Sequence, residues 1–367
     1  MIEGVNPETA DVLEQFGFDE PLFQALQARV AAGVLSPESN LIRGSIEAPQ
    51  SGDVTQLPAP GDSGYEDVRA AGLGVLGRGE VAQVVLAGGM ATRFGGVVKA
   101  VLTAVDGKSF LEAKLEQTAT LERTLGVSIP VALMTSFATD EAIREHVVRR
   151  KLGAPLVFNQ FVSLRLDPSG EPFRDSDGRV SLYAPGHGDL FAALRRSGTL
   201  DVLRDGGVRV VTISNVDNLG ARVDPAVVGA HLLAGWPLTC EVARKEGDMG
   251  GAPVRVNGKL QLVEGPRFSP GFDQDVVPVF NTNTAIFDLD ALDEDYDLSW
   301  LYVRKEVDGR EAVQLERLYH EASAFVATTY LEVPRRGPRG RFLPIKTLAD
   351  LDRAEDDLRE LLTASPI

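Results

Sequence analysis

From Val81 onward, short apolar runs alternate with stretches of helical periodicity. Runs rich in Val, Leu and Ile predict strands, and the stretches between them predict helices, which together indicate an α/β fold. Because several of the runs are continuously apolar, we expect a sheet that is covered on both faces. The predicted strands are 82–87, 130–135, 155–158, 208–213, 238–242, 279–287 and 325–333, and the predicted helices in this part are 110–125, 140–152, 190–204, 225–233, 312–322 and 348–362.

The chain before this alternation has a different character. Two helical patterns, at 7–17 and 20–32, are followed by a segment rich in Ser, Gly and Pro around 48–63. We therefore predict an N-terminal helical segment and linker over 1–75. The main α/β domain is expected over 76–346, and a C-terminal helix over 347–367.

Composition excludes several classes of protein. With 53 Asp and Glu against 37 Lys and Arg, the net charge of the 367 residues is −16, which argues against nucleic acid or an anionic membrane as a partner. The single cysteine, Cys240, cannot form an internal disulfide, and the start of the chain does not resemble a signal peptide. No apolar run is long enough to span a bilayer. We therefore expect a cytoplasmic protein in which any phosphate ligand meets a local basic cluster.

The strongest local signal is the glycine-rich turn LAGGMATRFG at 86–95, which leaves a predicted strand and runs toward Lys99. Glycines let the backbone approach a ligand and point successive N–H groups at it. The glycines alone are equally compatible with a tight strand-to-helix turn, but Arg93 and Lys99 add charge suited to a polyphosphate. The candidate nucleotide-binding residues here are Leu86, Ala87, Gly88 and Gly89.

Three other patterns resemble nucleotide or metal motifs but lie in the wrong context. The GxGxxG match at 72–77 precedes the strand that it should follow, so we interpret it as a chance match. The GKS at 107–109 lacks the upstream glycine of a P-loop, because position 102 is leucine. Asp288 and Asp290 follow an apolar strand, where Asp is an ordinary helix cap.

Two further segments place polar groups where a sheet of this kind binds ligands. His187 lies between Gly186 and Gly188 at a helix start, which favours a phosphate or sugar contact over an ordinary packing or surface role. Asp217 follows the apolar strand 208–213 and can hold Mg²⁺ together with phosphate or water oxygens. An Asx turn that caps the strand is the alternative for Asp217.

Polar residues also occur in and after the late strands. Asn281 and Asn283 alternate along a predicted strand, so their amides can bind vicinal hydroxyl groups from one side. Without a ligand, two buried amides would be costly. The stretch RFLPIK at 341–346 offers one more cation, Lys346.

These blocks together resemble the UTP–glucose-1-phosphate uridylyltransferase family, the UDP-sugar pyrophosphorylases of eukaryotic type. The resemblance extends over about 77–350 and is carried, in order, by the glycine turn, MTS at 134–136, GHGD at 186–189, SNVDNLGA at 214–221, FNTN at 280–283 and RFLPIK at 341–346. It implies a Rossmann-like nucleotidyltransferase with a mixed, mostly parallel central sheet. Relatives of eukaryotic type carry a C-terminal β-helix, and because the chain continues for only about 20 residues beyond Lys346, we expect that domain to be missing here.

The resemblance also implies ligands and residue roles. UTP and a sugar 1-phosphate would be the substrates, with Mg²⁺ as cofactor, and the oligomeric state is left open, a monomer included. The implied roles are phosphate contacts by Arg93, Lys99 and Lys346, nucleotide binding by the glycine turn, Gln160 and Gly186, sugar phosphate and sugar contacts by His187, Gly188, Asn218, Glu264, Asn281 and Asn283, and the metal at Asp217. Ala91 and Val98 depart from the family pattern, which usually has Gly and Pro there.

The implied reaction is an in-line attack by a phosphate oxygen of glucose 1-phosphate on the α-phosphorus of UTP, forming UDP-glucose and pyrophosphate. One alternative changes only the sugar, to N-acetylglucosamine or a broad set of sugars. The His-Gly-Asp sequence at 187–189 speaks against the N-acetyl sugar within the resemblance. The other alternative is a noncatalytic nucleotide-sugar binding protein, for which only Ala91 and Val98 speak.

Overall fold

The fold is built around one eight-stranded sheet with helices on both faces. The computed structural model describes residues 5–91, 97–345 and 348–364. Its helices are α1 Pro7–Gln15, α2 Glu20–Ala31, α3 Tyr65–Gly77, α4 Phe110–Leu125, α5 Asp140–Arg150, α6 Leu190–Arg196, α7 Thr199–Asp205, α8 Pro225–Ala234 and α9 Leu348–Thr363. Its strands are β1 Ile46–Glu47, β2 Val54–Gln56, β3 Val81–Leu86, β4 Met90–Ala91, β5 Val97–Val98, β6 Thr103–Val105, β7 Lys108–Ser109, β8 Val131–Thr135, β9 Leu156–Asn159, β10 Ser163–Leu164, β11 Leu182–Tyr183, β12 Val210–Asn215, β13 Leu238–Arg244, β14 Ala252–Val256, β15 Lys259–Val263, β16 Val279–Asp288, β17 Leu301–Val307, β18 Arg310–Glu316 and β19 Thr328–Glu332. None of the helices in these ranges is long and apolar enough to cross a membrane.

The central sheet has the strand order β2-β19-β13-β16-β12-β3-β8-β9. All neighbouring strands are parallel except β16, which pairs antiparallel with both β12 and β13. The predicted mixed, mostly parallel sheet is therefore confirmed. From β3 the chain proceeds to β8 and β9 on one side, whereas β12 lies on the other side. The carboxyl ends of β3 and β12 thus flank a point where the strand order reverses, which is where open α/β sheets bind their ligands.

Burial explains why β3 forms an interior strand of the sheet, between β12 and β8. All six of its side chains are buried, as the continuous apolar run predicts. Val84 packs with α6 and α7 in one hydrophobic cluster, whereas Val85 packs with α4 in another on the opposite face. The two layers of helices therefore position the end of β3 from both sides.

The GxGxxG match lies inside α3, so it forms no nucleotide turn. One of its glycines still has a structural purpose: a Cβ added at Gly72 would lie 1.8 Å from the carbonyl oxygen of Pro225, at the start of α8. A Cβ at Gly229 would similarly lie 1.6 Å from the carbonyl oxygen of Val68. The two helices therefore pack backbone to backbone through glycines, and at Gly72 the match reflects packing and not chance.

The N-terminal segment forms the two predicted helices and is integrated into the fold. Asn6 and Asp19 cap α1 and α2 by accepting backbone N–H bonds. Buried side chains of both helices pack against β10, β17 and β18. β2, within the predicted linker, adds a parallel edge strand beside β19. The predicted boundary after residue 75 falls inside α3.

Two predicted helices are wrong in detail. The predicted helix 312–322 is strand β18, followed by a 3₁₀ turn over Tyr319–Ala324. The apolar run there pairs antiparallel with β17 across a two-residue turn, and this hairpin overrides the local helical pattern. The predicted helix 190–204 is divided into α6 and α7, because Gly198 between them adopts a left-handed conformation with φ of +71°.

Candidate active site

A cavity of about 360 Å³ opens at the carboxyl ends of β3 and β12. Larger cavities, of about 560 and 960 Å³, lie beside α4 and at the amino-terminal edge of the parallel strands. The smaller cavity is the candidate site because of its position in the sheet and its converging polar groups. It is lined by Leu86, Gly88, Gly89, Lys99, Gln160, Ala184, Gly186, His187, Asn215, Val216, Asp217 and Glu316.

The start of the glycine turn forms one wall of this cavity. A Cβ at Gly88 would lie 3.0 Å from Oε1 of Gln160, so the absence of a side chain lets Gln160 pack against the turn. Ser136 Oγ donates to the Gly88 carbonyl at 2.8 Å, and Ala87 is buried beneath the surface. The predicted nucleotide-binding residues of the turn and Gln160 are thereby brought together.

Lys99 and Asp217 form an ion pair inside the cavity. Lys99 lies in a 3₁₀ turn directly after β5, and Asp217 lies in the loop after β12. The ammonium contacts the carboxylate, and the two side chains are 21% and 14% exposed. Two residues that are 118 positions apart thus place opposite charges in one partly desolvated space. Both remain reachable by a ligand that enters the cavity.

His187 presents a neutral imidazole to the cavity. Its Nδ1 accepts a 3.2 Å hydrogen bond from the backbone N–H of Tyr319, which leaves Nε2 as the protonated donor. The ring also packs edge-on against Tyr319, with centroids 4.9 Å apart. Removal of the charged form from water lowers the pKa of His187 to about 4. The side chain is therefore a hydrogen-bond donor near neutral pH and carries no charge there.

The residues after His187 anchor this loop. A Cβ at Gly188 would lie 2.5 Å from the backbone carbon of Arg317, and the Gly188 N–H donates to the Arg317 carbonyl at 2.8 Å. Asp189 is fully buried and accepts from the Arg317 guanidinium at 2.7 Å and from the backbone N–H of Phe161 at 3.1 Å. Asp189 thus joins the loop to the segment that carries Gln160.

A chain of polar side chains leads from the cavity to the predicted sugar-binding residues. The side-chain amide of Asn283 donates to Asn215 Oδ1 at 3.0 Å, and the backbone N–H of Asn283 donates to Asn281 Oδ1 at 3.0 Å. Asn281 donates in turn to Glu264 Oε1 at 3.2 Å. Burial raises the pKa of Glu264 to about 7. Asn283 lies at a bulge in β16, with φ of +58°, so the two amides do not follow the regular alternation that the sequence predicts.

Asn218 lies behind the cavity wall. Its side chain donates to the Arg341 carbonyl and accepts from the Leu343 N–H, both at 3.0 Å. Arg341 itself is buried and makes a two-pronged ion pair with the buried Glu241, at 2.7 and 2.6 Å. Asn218 thus joins the loop after β12 to the segment that leads toward position 346. Its predicted contact with substrate stays a prediction, as does that of Gly188.

Two predicted phosphate-binding residues, Arg93 and Lys346, lie outside the described residues. Asn215 and Glu316 also line the cavity, although the sequence patterns assigned no role to them. Asn215 could have been found because it is the last residue of β12, two positions before Asp217. Glu316 ends β18, in a stretch whose local pattern predicts a helix.

The donor groups around Asp217 suit Mg²⁺ better than a tightly caged metal. Across 5–91, 97–345 and 348–364, no group of three or more His, Cys, Asp or Glu side chains converges as a metal cage would. Asp217 and Glu316 are the carboxylates that line the cavity, and Mg²⁺ often takes one or two protein carboxylates and completes its shell with water and substrate phosphates. The arrangement does not resemble a closed zinc or calcium site.

Comparisons with known proteins identify the family of the chain. A family model described as UTP–glucose-1-phosphate uridylyltransferase matches residues 53–364. The relatives with that name include one from Solanum tuberosum, 32% identical over 75% of this chain and 61% of its own, and one from Encephalitozoon cuniculi, 29% identical over 83% and 61%. This chain thus spans about three fifths of the length of these curated relatives.

Solved structures show the same fold. UDP-glucose pyrophosphorylase from Leishmania major, as a point mutant in complex with UDP-glucose, has a TM-score of 0.73 at 22% identity, covering 96% of this chain and 78% of its own. The uridine diphosphate N-acetylglucosamine pyrophosphorylase from Trypanosoma brucei has a TM-score of 0.72 at 19% identity, covering 89% and 75%. From the family match and the relatives, the chain belongs to the UTP–glucose-1-phosphate uridylyltransferase family.

Proposed function

We propose that this chain forms UDP-glucose and pyrophosphate from UTP and glucose 1-phosphate. The observation that carries the proposal is the convergence of Lys99, Asp217, His187 and Gln160 on one cavity beside the glycine turn. Membership of a uridylyltransferase family supports the reaction type. The relatives from Solanum tuberosum and Encephalitozoon cuniculi bear the name of this activity.

In the proposed complex, UTP lies along the glycine turn. Gln160, which packs on Gly88, has both a donor and an acceptor and can pair with the edge of uracil. His187 is neutral near pH 7 and carries its proton on Nε2. It can therefore donate a hydrogen bond to an oxygen of the sugar phosphate over the whole neutral pH range. Asn283, Asn281 and Glu264 continue from Asn215 through a chain of hydrogen bonds, and these side chains would bind the sugar hydroxyls.

The chemical step requires positioning and charge neutralisation more than proton transfer. The attacking phosphate oxygen of glucose 1-phosphate is already an anion, so a general base is unnecessary. The chain has to hold two polyanions with the reacting atoms near 3 Å apart and to stabilise the charge on the departing pyrophosphate. Lys99 supplies a cation at the described part of the site. By resemblance, Arg93 and Lys346 supply two more.

Mg²⁺ is part of this proposal. The ion would be held by Asp217 together with phosphate oxygens, and it would supply charge neutralisation on the triphosphate. In the ligand-free arrangement the Asp217 carboxylate is occupied by Lys99. When a metal-bound triphosphate binds, the Asp217 carboxylate would pair with the metal ion and the Lys99 ammonium would pair with a phosphate. The ion pair therefore keeps both side chains in place before substrate arrives.

The test is pyrophosphate release from UTP with a panel of sugar 1-phosphates. We expect turnover with glucose 1-phosphate that depends on Mg²⁺ and a much lower kcat/KM for N-acetylglucosamine 1-phosphate. A preference for the N-acetyl sugar would replace the proposed substrate while the chemistry remained. Binding of UDP-glucose without turnover of any sugar 1-phosphate would identify a noncatalytic binding protein and would refute the proposal.

A further inference from the structure

A fully buried lysine lies beneath the candidate site. Lys114, in the second turn of α4, has no exposed surface. Its ammonium donates to the backbone carbonyls of Asn218 at 2.8 Å and Ala221 at 2.5 Å. Among the described residues, no carboxylate lies within ion-pair distance of Lys114. The ammonium is therefore held directly by carbonyls of a single loop, and the nearby charges of Asp217 and Glu241 also favour its charged form.

That loop is the one that carries Asp217. Gln117, one turn further along α4, donates to the Leu219 carbonyl at 3.0 Å, between the two carbonyls that Lys114 binds. Two side chains on one face of α4 thus hold three carbonyls of the loop. Ala221 is bound a second time, by Ser214 Oγ at 3.3 Å, which ties the same loop back to β12.

The opposite side of the loop is held as well. Asn218 bonds the backbone of Arg341 and Leu343 through both ends of its amide. The loop is therefore fixed between α4 and the segment 341–344, and its carbonyls at 218, 219 and 221 face α4. Asp217, at the start of the loop, reaches the cavity and contacts Lys99 there.

Lys114 is a costly residue to keep at this position for stability alone. Burial disfavours its charged form and lowers its pKa to about 7, and an apolar side chain of the same length would avoid that penalty. A methionine would, however, leave the carbonyls without these donors, which is also unfavourable. In Lys114→Met the avoided burial of a charge and the loss of hydrogen bonds have opposite effects on the free energy of folding. The geometry of the loop, by contrast, depends only on the hydrogen bonds that the ammonium donates.

We propose that Lys114 is a positioning residue, which holds the loop after β12 so that Asp217 meets the triphosphate in the productive geometry. The inference rests on the proposed function for its catalytic consequence. Its structural part, the fixing of the loop at 217–221, is independent of that function. Gln117 positions the same loop through its single hydrogen bond to the Leu219 carbonyl.

The test uses Lys114→Met in the full chain, with Lys108→Met as the matched control. Lys108 lies just before α4 and forms an exposed pair with Glu116, outside the candidate site. A displacement of about 1 Å at a reacting group costs about 10²-fold in rate, so we expect kcat to fall about 10²-fold in Lys114→Met. KM for both substrates should change less than about threefold, because the contacts at Gln160 and the sugar subsite remain.

Hydrogen exchange supplies the readout that does not depend on turnover. The amides of 217–221 should exchange about tenfold faster in Lys114→Met, whereas those of β8 should keep the rate of the unaltered chain. If Lys114→Met does not fold, Gln117→Leu serves in its place, with a smaller loss of kcat and faster exchange at the same loop. Lys108→Met should leave kcat and exchange unchanged.

Two results would overturn the inference. A folded Lys114→Met with unchanged kcat and unchanged exchange at 217–221 would show that the loop does not need this donor. A lower Tm with unchanged kcat would reduce Lys114 to a residue of general stability. If the unaltered chain makes no UDP-glucose, the proposed function fails, while the exchange experiment still decides whether Lys114 fixes the loop.

Discussion

Replacement of Lys99 by methionine removes the one cation of the site that the structure describes while keeping the length of the side chain. Two unit charges about 4 Å apart at a partly desolvated position interact by about 4 kcal/mol. Lys99 is 21% exposed and faces the cavity, so this value applies to its interaction with a bound phosphate. Only the part of that interaction that grows toward the transition state affects the rate, and comparable electrostatic deletions cost about 3 kcal/mol. We therefore expect kcat/KM to fall about 10²-fold in Lys99→Met.

Stability should respond much less than activity. Loss of a partly exposed ion pair changes the free energy of unfolding by about 1 kcal/mol, because the cavity lets water reach the remaining Asp217 carboxylate. The assay is the initial rate of pyrophosphate release at saturating and subsaturating UTP, together with urea unfolding of each variant. Lys108→Met, which removes an exposed ion pair, is the control and should change kcat/KM less than about twofold.

A double variant makes this test sharper. If Lys99 and Asp217 act on the same triphosphate, Lys99→Met and Asp217→Asn should be strongly non-additive, and the double variant should lose less than the sum of the two single losses. Lys99→Met with more than a third of the normal kcat/KM would refute the reasoning. Additive losses would mean that the two side chains serve separate steps.

Three further predictions concern the fold and its dependence on pH. Gly72→Ala should destabilise the chain by about 3 kcal/mol or more in urea unfolding, because its Cβ meets a backbone carbonyl at 1.8 Å, whereas Gly77→Ala in the same helix has open space and should be neutral or stabilising. Arg341→Met should cost about 3–5 kcal/mol by leaving Glu241 buried without its partner, and adding Glu241→Leu should recover much of that loss; equal stability of the single and double variants would contradict this. Glu264 has a pKa raised from 4.5 to about 7, so the folded state binds more protons than the unfolded state between these values, and stability should fall as pH rises through that window, by at most about 3 kcal/mol. In Glu264→Gln the fall between pH 4.5 and 7 should be smaller by that amount, and an unchanged slope in urea unfolding at several pH values would contradict the raised pKa of this carboxyl.

Local sequence signals predicted the interior strand β3 because its burial is uniform. β3 is apolar throughout most of its length and all its side chains are buried, so its pattern needed no long-range information. The glycine turn and Asp217 follow strands directly, and parallel neighbours bring such positions to one edge of the sheet. This is why residues from distant parts of the chain could be expected to share a cavity.

The hairpins were missed although their turns carry a signal. β14 and β15 are joined at Asn257 and Gly258, and β17 and β18 at Asp308 and Gly309, all with positive φ. Asn-Gly and Asp-Gly between alternating apolar residues are typical of two-residue hairpin turns. Had the second pair been used, β18 would have been predicted as a strand and Glu316 placed at its end.

Other features depend on contacts that no local pattern contains. The pairing of Arg341 with Glu241 joins residues 100 positions apart, and Lys114 meets carbonyls more than 100 positions away. The bulge at Asn283 arises from the pairing of β16 with β13, so the direction of its amide could not be derived from alternation. Such details require the packed structure because each is set by two segments at once.

In the proposed function, UDP-glucose binds where β3 and β12 end. A crystal structure of the chain with UDP-glucose tests this most directly. We expect uracil against Gln160 and Gly88, the diphosphate beside Lys99 and Asp217, and glucose within hydrogen-bond distance of Asn283 or Glu264. A nucleotide sugar bound at another cavity, with Lys99 and Asp217 still paired only to each other, would contradict it.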